Sequence, residues 1–141
     1  MAAKIKVCDL DPEVKSLVKK FRLRKEKTDA AIVLKIDTSR LMVILDEQYE
    51  NMTPDELQGE LPEHQPRYVL YSYCLHHDDG RISYPLCLVF ICPQGTKPEL
   101  AMMYGGSCLE LQNIMGLSKR SELRELEEFT EEWLKKELEF C

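Results

Sequence analysis

Two neighbouring apolar segments constrain the fold of this chain more than any other feature. Residues 82–92 are almost all apolar, and residues 67–75 are rich in aromatic and β-branched side chains. Both compositions predict β-strands. A strand that is apolar on both faces needs cover on both faces, so we expect helices on each side of a central sheet. Pro85 cannot donate to a strand ladder, which predicts an edge or a bulge at that position.

Two hairpins are expected in this sheet. The loop at 76–81 joins the two apolar segments, and its Asp79-Gly80 pair is typical of a tight hairpin turn. A second hairpin is predicted from the β-rich runs 30–36 and 41–45, since residues 37–40 between them carry turn chemistry.

Capping residues and apolar periodicity predict four helices. Asp11 is a candidate N-cap for a first helix that ends near Lys25, and a capping box at 53–56 opens a short helix through Leu61. A long helix is predicted from Pro98 to about Met115. The last helix is expected over 127–138, with Phe129, Trp133 and Leu134 facing inward. Residues 118–125 fit either a short strand or a turn. We therefore expect one domain, residues 1–141, with the order α-β-β-α-β-β-α-(β)-α.

Composition and charge narrow the class of protein. The chain has 141 residues with a formal net charge of -6, no apolar run of membrane-spanning length, and no signal-peptide pattern in its first residues. Its six cysteines contain no C-x-x-C pair, which indicates reduced thiols and a cytoplasmic location. A chain this acidic is a poor nucleic-acid binder, so a protein partner fits better.

No residue pattern predicts catalysis, a metal or a cofactor. His76 and His77 are adjacent on a predicted strand, so they point to opposite faces, and a polar hairpin tip explains them better than a metal site. No cysteine lies at a charged helix start that would activate it as a nucleophile. Phosphate-binding glycine motifs are absent.

Two features are candidates for a protein interface. A basic cluster lies near the start of the chain, at Lys19, Lys20, Arg22, Arg24, Lys25 and Lys27. Charge alone favours a solvated helix face there, and a docking patch for an acidic surface is the alternative. Met102 and Met103 are neighbours on the long helix, so both cannot face the core. Exposed methionine is common at protein interfaces.

Several longer segments resemble the glia maturation factor family, within the actin-depolymerising-factor homology superfamily that includes cofilin. The matching segments run through nearly the whole chain in the same order: 21–25 (Phe-Arg-Leu-Arg-Lys), 53–57 (Thr-Pro-Asp-Glu-Leu), 60–67, 77–86 (His-Asp-Asp-Gly-Arg-Ile-Ser-Tyr-Pro-Leu), 102–104 (Met-Met-Tyr) and 130–134 (Thr-Glu-Glu-Trp-Leu). The resemblance implies an α+β fold of the α/β/α sandwich type, with a central mixed sheet of five to six strands flanked by helices.

The resemblance also implies a function. Glia maturation factors bind the actin-related protein 2/3 complex, inhibit actin nucleation and promote debranching, so we expect a cytoplasmic monomer of the actin cytoskeleton. It would have no enzymatic activity, no cofactor, no membrane or nucleic-acid partner, and weak or no direct actin binding. The alternative is cofilin-like binding to and severing of actin. Cofilin-like proteins carry lysines where this chain has Glu99 and Ala101, which argues against that alternative.

Two partner-binding surfaces carry over from the family. The first combines the basic segment with the long helix and contains Lys20, Arg22, Arg24, Lys25, Met102, Met103, Tyr104, Gly105 and Ser107. The second combines the hairpin tip, Asp78, Asp79, Gly80 and Arg81, with the last helix. The chain departs from the family at Cys108 and Glu110, which stand where basic residues are usual, and in the polar residues 119–122. Ala2 stands where many relatives have a serine that can be phosphorylated, so the resemblance does not carry that regulation over to this chain.

Overall fold

The computed structural model describes residues 9–22, 28–117 and 120–138. The strands are β1 (Asp9–Leu10), β2 (Ala30–Asp37), β3 (Met42–Glu50), β4 (Arg67–Ser72), β5 (Leu75–His76), β6 (Ile82–Ser83), β7 (Leu86–Ile91) and β8 (Arg120–Leu123). The helices are α1 (Pro12–Arg22), α2 (Pro54–Gln58), α3 (Pro98–Met115) and α4 (Glu131–Leu138), with a 3₁₀ turn at Leu126–Glu128.

A six-stranded mixed sheet forms the centre, in the order β1-β3-β2-β4-β7-β8. The three inner pairings are antiparallel, and the strands at both edges, β1 and β8, pair in parallel. The register places Ile32 opposite Leu70 and Leu70 opposite Leu88, so the middle of the sheet is aliphatic. β5 and β6 form a separate two-stranded sheet. The prediction of a mixed sheet of five to six strands is confirmed.

Helices cover both faces of this sheet, as the two-sided apolar strands required. On one face, α1 and α3 pack over a core that includes Ile32 and Leu34. On the other face, α2 and α4 pack over a core that includes the alternate residues Ala31 and Val33. Strand alternation therefore sends neighbouring side chains into two separate cores, and α1 and α3 share one of them.

The two apolar segments each divide into two strands, where continuous strands over 67–75 and 82–92 were expected. Proline at position 85 has no N–H for the ladder, and its carbonyl oxygen instead accepts the N–H of Tyr73 at 3.2 Å. The N–H of Cys74 bonds to the Asp29 carboxylate at 2.7 Å. These hydrogen bonds replace those of the strand ladder, so β4 and β7 of the large sheet meet at Ser72 and Leu86. Beyond that point the hairpin continues as β5 and β6.

Helix boundaries differ from the sequence prediction at two places. The short helix ends at Gln58 and not near Leu61, because the N–H of Gly59 turns back to the Glu56 carbonyl oxygen at 3.2 Å. The last helix begins at Glu131 and not near 127. The Thr130 hydroxyl accepts the N–H of Trp133 at 3.2 Å, and the Asp55 carboxylate accepts that of Glu131 at 3.1 Å, so the start is capped there.

The other boundaries follow the prediction. α3 spans the predicted residues, and Gly116 ends it with a left-handed backbone at φ 68°. Residues 120–123 form a strand parallel to β7, which settles the ambiguity over 118–125. The predicted end of α1 near Lys25 lies outside the described residues. None of the helices in the described ranges is long and apolar enough to cross a bilayer.

Candidate partner-binding surface

The long helix α3 presents an apolar outer face to solvent. Met102 is 60% exposed and Leu109 is 56% exposed, and they lie two turns apart on the same side of the helix. Glu99, Glu110 and Asn113 are exposed around them. The helix contains no lysine or arginine over its 18 residues. Its outer face is therefore apolar at the centre and acidic at the margins, and it is open to a partner.

Tyr104 fixes the rotation of α3 that produces this face. Its hydroxyl accepts the N–H of Ile36 at 2.9 Å, and its backbone carbonyl oxygen accepts the hydroxyl of Tyr68. Its ring lies 5.3 Å from that of Tyr68 and stacks on Phe90 at 6.5 Å between centroids. With Tyr104 bound inward to two strands, Met102 must point outward.

The structure corrects the roles of Tyr104 and Ser107, which were expected to contact a partner. Tyr104 is 3% exposed and Ser107 is 1% exposed. The Ser107 hydroxyl donates to the carbonyl oxygen of Met103 at 2.9 Å, within the helix. Adjacent positions in a Met-Met-Tyr motif point in different directions on a helix, so the motif does not lie on one face. Both side chains can position α3, but they cannot touch a partner directly.

Met103 and Gly105 keep partial access to the surface. Met103 is half-buried and packs against the core under α1 and α3. Gly105 is exposed, and a methyl group at this position would lie 3.9 Å from the Phe90 ring, which is an ordinary contact. The fold itself therefore does not require glycine at 105. Because glycine has no side chain, the outer surface of α3 is recessed at position 105, beside Met102.

α1 places cationic side chains on the same face of the sheet as α3. Val14, Val18 and Phe21 are buried in the shared core, and Lys19 and Lys20 are exposed. α1 ends at Arg22, while Arg24 and Lys25 lie outside the described residues. Lys20 and Met102 are therefore both exposed on helices that cover the same face of the sheet, and their joint use by a partner stays a prediction.

The hairpin tip forms a separate surface. Asp78, Asp79, Gly80 and Arg81 are all exposed, and Gly80 takes φ 90°, a left-handed conformation that suits glycine. The Arg81 guanidinium donates to Asp79 at 2.7 Å, and its backbone N–H donates to the same carboxylate at 3.0 Å. The backbone bond is the main reason that the pKa of Asp79 lies below its ordinary value. The tip is therefore held in shape by its own side chains.

A groove between α3 and β8 was missed by the sequence reasoning. It has a volume of about 280 Å³ and is lined by Ala101, Gly105 and Cys108 of α3, by Arg120, Glu122 and Arg124, and by Phe90 and Cys92. Charged residues at every second position of 120–124 would have indicated one polar strand face. Burial raises the pKa of the Cys92 and Cys108 thiols, so both stay protonated at neutral pH.

The histidine and cysteine side chains of the hairpin contact each other or a hydroxyl group. The thiol of Cys74 lies 3.8 Å from the imidazole of His76, and His77 shares a hydrogen bond of 2.7 Å with the Ser83 hydroxyl. Across the ranges that the structure describes, no group of three or more histidine, cysteine or acidic side chains could hold a metal ion.

Comparison with known proteins identifies the family. The sequence model for cofilin/tropomyosin-type actin-binding proteins matches residues 7–139. Glia maturation factor beta from Homo sapiens is 49% identical over 140 residues, which cover 99% of each chain. The chain belongs to the glia maturation factor family. The glia maturation factor of Drosophila melanogaster is 48% identical over 132 residues, covering 94% of this chain and 96% of its own.

Solved structures confirm the actin-depolymerising-factor homology fold. The solution structure of glia maturation factor from Caenorhabditis elegans superposes with a TM-score of 0.83 at 38% identity, covering 96% of this chain and 99% of that one. Actin depolymerization factor 2 from Plasmodium berghei reaches a TM-score of 0.79 at 18% identity, with 99% of each chain covered, and so shares the fold alone. Both the predicted family and the predicted α+β fold class are confirmed.

Proposed function

We propose that this protein regulates the actin cytoskeleton by binding the actin-related protein 2/3 complex, inhibiting actin nucleation and promoting filament debranching. Membership of the glia maturation factors, within a family of actin-binding proteins, supports the cytoskeletal role. The observation that carries the choice of partner is the outer face of α3. Met102 and Leu109 form an exposed apolar ridge with Glu99 and Glu110 beside it and no cation on the helix.

This charge pattern favours an actin-related subunit over actin itself. The acidic groove of actin would repel Glu99, whereas a cofilin-like lysine at that place would pair with it. The uncharged Ala101 supplies no compensating cation. A like charge that faces the wrong partner across an interface lowers the affinity for that partner, and so it adds specificity for the correct one. We therefore expect weak or no binding to actin alone.

Lys20 and the other cations of the N-terminal segment would complete the first surface. Lys20 is exposed on α1, which packs on the same face of the sheet as α3. Arg22, Arg24 and Lys25 are proposed to extend this patch. An interface of this kind has an apolar centre and a charged rim, and the centre supplies most of the binding free energy.

The action needs no bond-making step. A protein that binds one conformation of the nucleator more tightly than another shifts the equilibrium toward the state that it prefers. Binding through α3 would favour a state that cannot hold a branch. The hairpin tip, with Asp78, Asp79 and Arg81, would act as a second contact together with α4. Removing a branch would then follow from differential binding alone.

The test is direct observation of branched actin filaments by microscopy with the purified protein added, together with pull-down of the purified complex. We expect branches to dissociate faster and the complex to be retained. Co-sedimentation with filaments alone supplies the contrast, and we expect little protein in that pellet. Strong co-sedimentation with severing, and no retention of the complex, would instead establish the cofilin-like activity.

Variants of the ridge test the surface. Met102→Ala combined with Leu109→Ala should weaken binding to the complex by about thirtyfold or more, since each side chain would lose an apolar contact worth about 1–2 kcal/mol. Leu45→Ala is the matched control. Leu45 is 41% exposed, and it lies on β3 and not on the helix that carries the ridge. If the control weakens binding as much as the ridge variant, α3 is not the contact.

A further inference from the structure

The groove between α3 and β8 has a cationic wall. Arg120 and Glu122 stand at alternate positions of the edge strand β8, and Arg124 follows directly after its last residue. All three line the same groove. Both arginines are exposed, and the opposite wall is made by Ala101, Gly105 and Cys108 of α3. Small side chains on the helix leave room for the two guanidinium groups beside it.

The Arg120 side chain points into this groove. Cys108, which is 2% exposed, lines the same groove, and the nearby positive charge of Arg120 partly offsets the rise that burial causes in the pKa of its thiol. Arg124 lines the groove beside Cys92, and its positive charge acts on the pKa of that thiol in the same direction. Protonated thiols are weak acceptors, so these neighbours leave most of the five donors of each guanidinium available.

No carboxylate of the described residues forms a salt bridge with either arginine. Glu122 lies between the two arginines along the strand, but among the described residues no acidic group comes within 4.0 Å of either guanidinium. With two cations and one anion, the groove carries a net positive charge. Guanidinium groups bind carboxylates through paired, directional hydrogen bonds, which makes a carboxylate the matching ligand.

The position of the groove indicates where that carboxylate would come from. Gly105 forms part of its rim and lies one turn from Met102, at the centre of the apolar ridge. Because Gly105 has no side chain, a side chain of a partner bound on the ridge could pass over this position and enter the groove. Since α3 carries no cation, an acidic group approaching the ridge from this side meets Arg120 and Arg124 first.

We propose that Arg120 and Arg124 form a carboxylate-binding site that receives an acidic side chain of the partner seated on the α3 ridge. This inference rests on the proposed binding to the actin-related protein 2/3 complex and extends it to a third element, β8. The site would compensate for the acidic margin of α3, and it would fix the rotational position of the partner on the helix. Glu122 would compete with the incoming carboxylate and so limit the affinity.

The test measures equilibrium binding of the full chain to the purified complex at about 50 mM and 300 mM salt. Arg120→Gln and Arg124→Gln each remove one charge while keeping a polar side chain. Each should weaken binding by about threefold to tenfold at low salt, between the effects of exposed and desolvated ion pairs. The difference from the unmodified protein should shrink at high salt, because the charges are then screened.

Two further variants separate this site from a general charge effect. Lys35→Gln loses the same charge on β2, where Asp46 keeps Arg67 as a partner at 3.0 Å, and it should bind within twofold of the unmodified protein. Glu122→Gln removes the competing carboxylate and should tighten binding about twofold to threefold. Lys35→Gln should show no such tightening.

The outcomes distinguish the inference from the proposed function. If the unmodified protein binds the complex and both arginine variants bind like Lys35→Gln, the carboxylate site is overturned while the proposed function stands. If Glu122→Gln weakens binding, the competition argument is overturned. If the unmodified protein fails to bind the complex at all, both the proposed function and this inference fall together.

Discussion

Replacing Tyr104 with phenylalanine separates positioning of α3 from contact with a partner. In Tyr104→Phe the ring keeps its stacking on Phe90, but the backbone N–H of Ile36 loses its acceptor at 2.9 Å. An unsatisfied buried N–H costs about 1–3 kcal/mol. A groove of about 420 Å³ reaches Ile36 and Tyr104, so water can replace part of this bond. We therefore expect a loss of about 1–2 kcal/mol in the free energy of unfolding.

Urea denaturation followed by circular dichroism measures this loss, which should also lower the melting temperature by about 3–8 °C for a chain of this size. At 10 °C the variant remains folded, and it should then bind the actin-related protein 2/3 complex within about twofold of the unmodified protein. Tyr71→Phe is the matched control. Its hydroxyl donates to the carbonyl oxygen of Met52 at 2.6 Å on the opposite face of the sheet, away from α3.

One result would refute the reasoning about Tyr104. If Tyr104→Phe unfolds at the same urea concentration as the unmodified protein but no longer binds the complex, the hydroxyl contacts the partner and not Ile36. Tyr104 would then be exposed in solution, and the rotation of α3 described above would be wrong. A loss of stability with retained binding supports its role in positioning the ridge.

Three more predictions test the core, the pH response and the basic patch. Leu88→Ala should cost about 2–5 kcal/mol in urea denaturation, since Leu88 is fully buried between β4 and β8, and near-normal stability would contradict the sheet order. Burial raises the pKa of the Tyr71 and Tyr104 phenols. The folded state thus holds these protons more tightly, and stability should fall as the pH rises above about 10, where unfolded tyrosine ionises. An unchanged urea midpoint at pH 11 would contradict their burial. Arg22→Ala with Arg24→Ala should weaken binding to the complex at nearly unchanged melting temperature, and unaltered binding would remove the basic patch from the interface.

Local signals in the sequence predicted the elements that local chemistry controls. The capping box at Thr53 is present in both directions, with the Thr53 hydroxyl accepting the N–H of Glu56 at 3.2 Å and the Glu56 carboxylate accepting the N–H of Thr53 at 3.3 Å. The Asp79-Gly80 turn and the bounds of α3 were also predicted correctly. In each case a few neighbouring residues determine the backbone conformation.

Features that depend on distant residues could not be predicted in the same way. The inward orientation of Tyr104 depends on Ile36 and Tyr68, which are far away in sequence. Strand β8 has a single apolar residue, Leu123, and it becomes a strand because β7 offers a parallel partner from Leu88 to Ile91. The groove beside α3 exists only once both elements are in place. Sequence reasoning therefore found the helix that carries the candidate surface but not its rotation.

The same helix serves the core and the candidate interface, and the two roles use different side chains. Leu111 and Met115 lie on the buried side of α3, so substitutions there change the stability of the fold. Glu99, Met102 and Leu109 are exposed, and substitutions at such positions usually change stability by less than about 0.5 kcal/mol. The outer face can therefore change its charge and partner while the fold stays constant. This chain has glutamates on α3 and arginines at Arg120 of β8 and at Arg124 just after it. We expect such an arrangement to select a partner by the position of charge as well as by its sign.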